Sequence, residues 1–147
     1  MRVVIDTNIF ISSFFGGYPK RVIDLWKAGR ITLCLTNAII KEYVEVLRRM
    51  ELDTQELEDL LDLFKKQFGC SYAAKTVRLK ICADGDDDKF IEAAVSLHAK
   101  YVISGDKHLK SLAKYADILI LSPREFIEKH LAQHLYRDRL LRSFDQG

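Results

Sequence analysis

A chain of 147 residues that is 48% hydrophobic and 30% charged has the length and apolar content of one packed domain, and only seven Gly and two Pro exclude a collagenous or disordered chain. No apolar run approaches the ~20 residues that cross a bilayer, and the opening Met1-Arg2-Val3-Val4-Ile5-Asp6 reaches a carboxylate too early for a secretory signal, so a soluble cytoplasmic protein without membrane attachment is expected. A net charge of +2 offers no basic surplus for holding nucleic acid through phosphate contacts alone.

Arg2 to Asp6 reads as a short buried strand stopped by Asp6-Thr7-Asn8, with a helix following from Asn8. After Gly16-Gly17, Pro19 suits the first turn of a helix carrying Val22, Ile23, Leu25 and Trp26, which Gly29 ends. Ile31 to Leu35 is the second strand. Thr36 or Asn37 caps a helix whose apolar face is Ile39, Ile40, Tyr43, Val44 and Leu47. Asp53 or Thr54 starts another, with Leu57, Leu60, Leu61, Phe64 and Phe68 at helical spacing. Val77 to Cys82 is a strand candidate, and the acids from Asp84 to Asp88 lead into a helix burying Phe90, Ile91, Ala94, Val95 and Leu97. Tyr101 to Ser104 is a strand, Lys107 to Leu112 a short helix and Ile118 to Leu121 a strand, after which Ser122-Pro123-Arg124-Glu125 opens a last helix with Pro at its first position.

Alternating strands and helices, with strands that are near-continuously apolar, predict an α/β protein: a three-layer α/β/α sandwich around a central parallel sheet. Cys34, Cys70 and Cys82 show no CxxC spacing and read as small core residues rather than disulfide or zinc ligands. The stretch from His134 to Arg142 reads as a terminal helix, either an arm on a partner subunit or a frayed end.

In such a sheet, ligands bind beyond the carboxyl ends of the strands. Asp6 ends the first strand, Asp106 follows Val102-Ile103-Ser104-Gly105, and Asp88 lies in the first turn of the helix after Val77 to Cys82. Glu42 falls beside Val46 at the margin of its helix's apolar stripe, where it can lean over the same edge. Four gathered carboxylates repel one another, and a divalent cation relieves that repulsion. Hard oxygen ligands suit Mg²⁺ or Mn²⁺ rather than zinc, and such an ion can activate water for phosphodiester hydrolysis. Thr7, Asn8 and Ser104 stand where they can hydrogen-bond the Asp6 and Asp106 carboxylates or metal-bound waters, and Lys107 can meet a phosphate oxygen. Singly, each acid is an ordinary turn or helix residue, with Asp84, Asp86 and Asp87 read as capping or solvated groups. His98 and His108 read as ordinary surface or core groups, and Tyr18, Trp26 and Tyr43 as packing residues.

Val3 to Asn8, Lys41-Glu42-Tyr43 followed by Val46-Leu47, Asp86 to Ala94, and Tyr101 to Leu109 together resemble, in that order, the PIN-domain ribonucleases. The likeness runs from residue 1 to about 130 and is strongest to stand-alone bacterial and archaeal PIN proteins classed with the VapC-type toxins. The resemblance implies a domain over residues 1–130, with residues 131–147 as a helical arm or tail. It also implies a Mg²⁺- or Mn²⁺-dependent endoribonuclease whose four acids map to Asp6, Glu42, Asp88 and Asp106. Asp88 is taken as the third because it directly precedes Lys89-Phe90-Ile91. A homodimer and an antitoxin protein that occludes the site are the implied partners, and RNA the implied substrate.

Other readings remain. A haloacid-dehalogenase-type phosphatase would carry a second Asp where Asn8 stands, and a receiver domain would pair another acid with Asp6. A catalytically inactive PIN-fold module binding RNA or protein would be expected to lack one of the four acids. Setting those acids aside leaves a basic remainder, so the near-neutral total does not exclude RNA bound through a metal-filled acidic cleft.

Overall fold

The structure is a computed structural model that describes residues 1–52, 54–81 and 85–145. Asp53, Cys82 and Asp84 of the sequence reading lie outside them. The first half alternates β1 (Arg2–Ile5), α1 (Thr7–Ser13), α2 (Gly17–Lys27), β2 (Thr32–Thr36), α3 (Asn37–Arg49), α4 (Thr54–Lys65) and β3 (Cys70–Ala73). A 3₁₀ turn (Gly85–Asp87) then leads into α5 (Asp88–Ser96), β4 (Tyr101–Ile103), α6 (Lys107–Leu112), β5 (Lys114–Tyr115), β6 (Ile118–Leu121) and α7 (Pro123–Asp145).

The strands form one sheet in the order β3-β2-β1-β4-β6-β5. Every pairing is parallel except that of β5 with β6 at the edge. Because Val3, Val4 and Ile5, Leu33 to Leu35, and Val102 with Ile103 are wholly buried, the central strands are covered on both faces, which is why they read as unbroken apolar runs. The chain winds from β1 to β2 to β3 in one direction, then crosses to β4 on the other side of β1. Right-handed crossovers therefore put the helices of the first arm on one face and α5 on the opposite one. α5 accordingly packs across β1, β2 and β4, while α7 returns to lie against α2.

The first face is held by an aromatic cluster. Phe10, Trp26, Tyr43 and Phe64, one from each of α1 to α4, meet with ring centroids 4.7 to 5.9 Å apart. The Trp26 indole N–H donates to the Phe68 carbonyl at 3.0 Å. The chain passes so close to that indole at Gly69, where φ is +56°, that an added Cβ would stand 3.2 Å from Trp26 Nε1. Cys34 is buried in β2 and Cys70 opens β3, and burial pushes their thiols up to about 11 and about 12.

Two expectations are corrected here. Residues 77–81 form no strand, and the edge strand is Cys70–Ala73 instead. The Val77 and Ile81 amides donate to the Ser96 hydroxyl and the Asp88 carboxylate, so side chains of α5 replace a strand ladder. Phe68 lies beyond the end of α4 and is partly exposed.

Candidate active site

The strand order reverses at β1, so the loops after β1 and β4 part there and leave a crevice between the two carboxyl ends. Parallel pairing sets Ile5 beside Ile103, and the Asp6 amide extends the ladder by donating to the Ile103 carbonyl at 2.9 Å. Asp6 and Ser104 are thereby brought side by side from positions 98 residues apart, with the Ser104 hydroxyl donating to Asp6 Oδ2 at 2.6 Å. The same Ser104 oxygen accepts from the Asp106 amide at 3.0 Å, tying both acids to one buried hydroxyl.

Both acids are helix N-caps, but they are used differently. Asp106 Oδ1 accepts from the His108 and Leu109 amides at 2.8 and 3.2 Å, capping α6. Asp6 makes no side-chain cap to α1 and turns its carboxylate toward Ser104. Asp6 is only 4% exposed, and burial raises its carboxyl from the ordinary aspartate value. The Ser104 hydroxyl works against that rise, while the neighbouring Asp106 and Glu42 charges add to it.

Glu42 comes from α3, which is pinned to β1 by the Tyr43 hydroxyl donating to the Ile5 carbonyl. The Thr7 hydroxyl donates to Glu42 Oε2, and the Lys89 ammonium stands 2.7 Å from Glu42 Oε1. A cavity of about 220 Å³ is lined by Asp6, Thr7, Asn8, Glu42 and Asp106 together with Asp86 and Asp87, closed by Val46 and Phe90. Asp88, Lys107 and Ser104 do not line it. Asp88 is buried with Oδ1 accepting from the Ile81 amide, and Lys107 is exposed on the first turn of α6.

Sequence reasoning missed Asp86 and Asp87 as cavity residues. Three successive acids carry no spacing signal to separate them; only the backbone path through the 3₁₀ turn decides which carboxylate faces the crevice. Trp26 and Tyr43 are packing residues, and His108 lies exposed with its amide on Asp106.

The donor chemistry fits a hard divalent cation, since every polar side chain lining the cavity offers oxygen and none offers an imidazole or thiol. The carboxylates are not drawn into one coordination sphere: among the described residues no three His, Cys, Asp or Glu groups stand positioned to share an ion. The Lys89 ammonium meanwhile supplies positive charge at Glu42.

Fold and site thus define a doubly wound α/β domain with an acid-lined crevice at the point where its strand order reverses. A family model described as PIN domain matches residues 2–108, and the chain belongs to the PIN-domain family. It is 31% identical over 144 residues to a Methanocaldococcus jannaschii protein, uncharacterized protein MJ1680, a match covering 88% of this chain and 91% of that one. Among solved structures, a chain of VapBC2 from Rickettsia felis, crystallised bound to a DNA fragment from its promoter, superposes with a TM-score of 0.54. That likeness has 12% identity, spans 82% of this chain and 97% of the other, and is one of fold. No described helix is long and apolar enough to cross a membrane.

Proposed function

We propose that this protein is a metal-dependent endoribonuclease that hydrolyses RNA phosphodiester bonds, and the toxin of a toxin–antitoxin pair. The observation that carries the reading is the acid-lined cavity at the carboxyl ends of β1 and β4 in a chain of this family. Asp6, Glu42 and Asp106, which line the cavity without yet sharing one coordination sphere, would close on Mg²⁺ or Mn²⁺ to hold it. Asp87 is the third acid of the set in preference to Asp88, because it lines the cavity and Asp88 does not. The ion, when bound, supplies an activated water and stabilisation of the leaving oxygen.

The protein's own groups orient that set. Ser104 fixes Asp6, Thr7 fixes Glu42, and the α6 amides fix Asp106. Lys89 balances the charge of Glu42, and Lys107, exposed on the first turn of α6 next to Asp106, would meet a phosphate oxygen. Likeness to a VapBC2 chain supports an antitoxin protein as partner. A homodimer, a cytoplasmic setting and a nuclease domain ending near residue 130 belong to the same proposal; α7 itself continues without a break to Asp145.

The test is cleavage of labelled RNA by the purified full chain with Mg²⁺ or Mn²⁺, beside EDTA. Loss of a carboxylate worth several kcal/mol of charge stabilisation makes Asp6→Asn and Asp106→Asn slower by about 100-fold or more. Variants that cut as fast as the parent would sink the mechanism. RNA bound but uncut by the parent in either metal favours the non-catalytic module, and unchanged growth on expression of the protein alone counts against a toxin.

A further inference from the structure

Residues 74–81, between β3 and the described start of the 3₁₀ turn, belong to no regular element and play no part in the acid cavity. They are nonetheless fastened. The Val77 amide donates to Ser96 Oγ at 3.1 Å and the Ile81 amide to Asp88 Oδ1 at 3.2 Å. Ser96 and Asp88 are the last and first residues of α5. Fully drawn out, four residues span ~13 Å and eight helical ones ~12 Å, so the strip is long enough to run along the helix and the two clamps hold one against the other. Leu79 and Ile81 pack partly buried against the core, while Lys75, Arg78 and Lys80 are exposed.

Those three cations line a groove of about 940 Å³ with Thr36 at the carboxyl end of β2 and with Lys89, Asp88 and Glu92, so that four cations stand against two carboxylates. Among the described residues no ion pair engages Lys75, Arg78 or Lys80. The groove lies on the sheet edge that carries Asp6. It also adjoins the acid cavity, because Lys89 of the groove is bonded to Glu42 of the cavity. A strip with cations in excess, beside a cluster of carboxylates, suits a long polyanion: the strip attracts the chain that the acids by themselves would repel.

We propose that this groove binds the phosphodiester backbone of RNA through Lys75, Arg78 and Lys80, and that Asp88 is a positioning residue which holds the strip in place. The inference rests on the nuclease reading for its choice of polyanion. It gives the buried Asp88 carboxylate a task outside the acid cavity, and it fixes the side from which substrate approaches: across the ends of β2 and β3.

The test measures binding of a short fluorescent single-stranded oligoribonucleotide to the full chain in EDTA, by anisotropy across a salt series. Three phosphate contacts on a single strand contribute about 0.7 each to the slope of log affinity against log salt. The triple variant K75A/R78A/K80A therefore binds about 10-fold more weakly at moderate salt, with a slope lower by about 2. A control removing equal charge elsewhere, K27A/R137A/R139A, loses clearly less. Asp88→Ala weakens binding more than Asp88→Asn, whose amide oxygen still accepts from Ile81, and the Ile81 amide exchanges faster in the alanine variant alone.

The proposal falls if the triple variant binds RNA no more weakly than the control, or if polyglutamate depends on these cations while RNA does not. It also falls if Asp88→Asn and Asp88→Ala are equally impaired. Parent protein that shows the cation-dependent RNA binding but does not cleave keeps the groove and removes the nuclease reading. Cleavage with a KM insensitive to the triple substitution keeps the nuclease and removes the groove.

Discussion

Asp86, Asp87 and Asp88 are chemically identical neighbours with different surroundings. Asp86 and Asp87 line the cavity with Asp6, Glu42 and Asp106, while the Asp88 carboxylate is buried against the Ile81 amide. Asparagine still offers Ile81 an acceptor, but it offers a metal one charge fewer. Asp87→Asn is therefore expected to slow RNA cleavage at least 10-fold more than Asp88→Asn, a difference of about 1.4 kcal/mol in barrier. The opposite order in a steady-state assay would return Asp88 to the metal. Glu42 shows how far a helical wheel reaches: its place beside Val46 was legible, and both line the cavity. Its bonds to Thr7 and Lys89 were not, since those residues lie 35 and 47 positions away.

Elements were legible where burial on both faces wrote an unbroken apolar run, as in β1, β2 and β4. They were misread where hydrogen bonds came from outside the backbone. Val77 to Ile81 has strand composition but is paired by α5 side chains, whereas Cys-Ser-Tyr-Ala of β3 looks unremarkable and pairs in register with Leu33 to Thr36. Local chemistry was more faithful at helix starts. Thr36 Oγ1 accepts from the Ile39 amide, as an N-cap does. Ser122 and Glu125 form a reciprocal capping box at α7, with Oγ accepting from the Glu125 amide at 3.1 Å and Oε1 from the Ser122 amide at 3.2 Å.

Ser122→Ala is expected to cost about 1 kcal/mol in urea unfolding. Lys110 and Ser122 hold the Glu125 carboxyl down to about 2, so its contribution is present above the unfolded value of 4.5 and is lost as pH falls toward 2. Because Glu125 is largely exposed, that contribution is small. Glu125→Gln flattens this part of the acid dependence, and an unchanged pH profile would contradict the assignment.

At the scale of the whole molecule, the winding order places like charges together at a cost to stability. Asp6 is desolvated beside Asp106 and Glu42, and burial is the largest influence on it. Asp6→Asn keeps an acceptor for Ser104 while removing the buried charge, so it raises the melting temperature of metal-free protein at neutral pH, by about 2–4 °C for each kcal/mol gained. Mg²⁺ or Mn²⁺ raises the melting temperature of the parent and has less effect on the variant, since only a ligand that binds the folded site stabilises it. Differential scanning calorimetry with and without EDTA checks both statements; a variant less stable than the metal-free parent would show that Asp6 supports the fold rather than strains it.

The sequence by itself determined the α/β alternation, the helix caps and the strand ends at which Asp6 and Asp106 stand, because those follow from hydrophobic period and hydrogen bonding within a few residues. It could not determine which of three adjacent acids faces the crevice, that Ser104 would join Asp6 to Asp106, or that a strand-like segment would lie along α5 as a basic strip. Those outcomes depend on contacts between groups far apart in the chain, which exist only once the sheet has wound outward in both directions from β1.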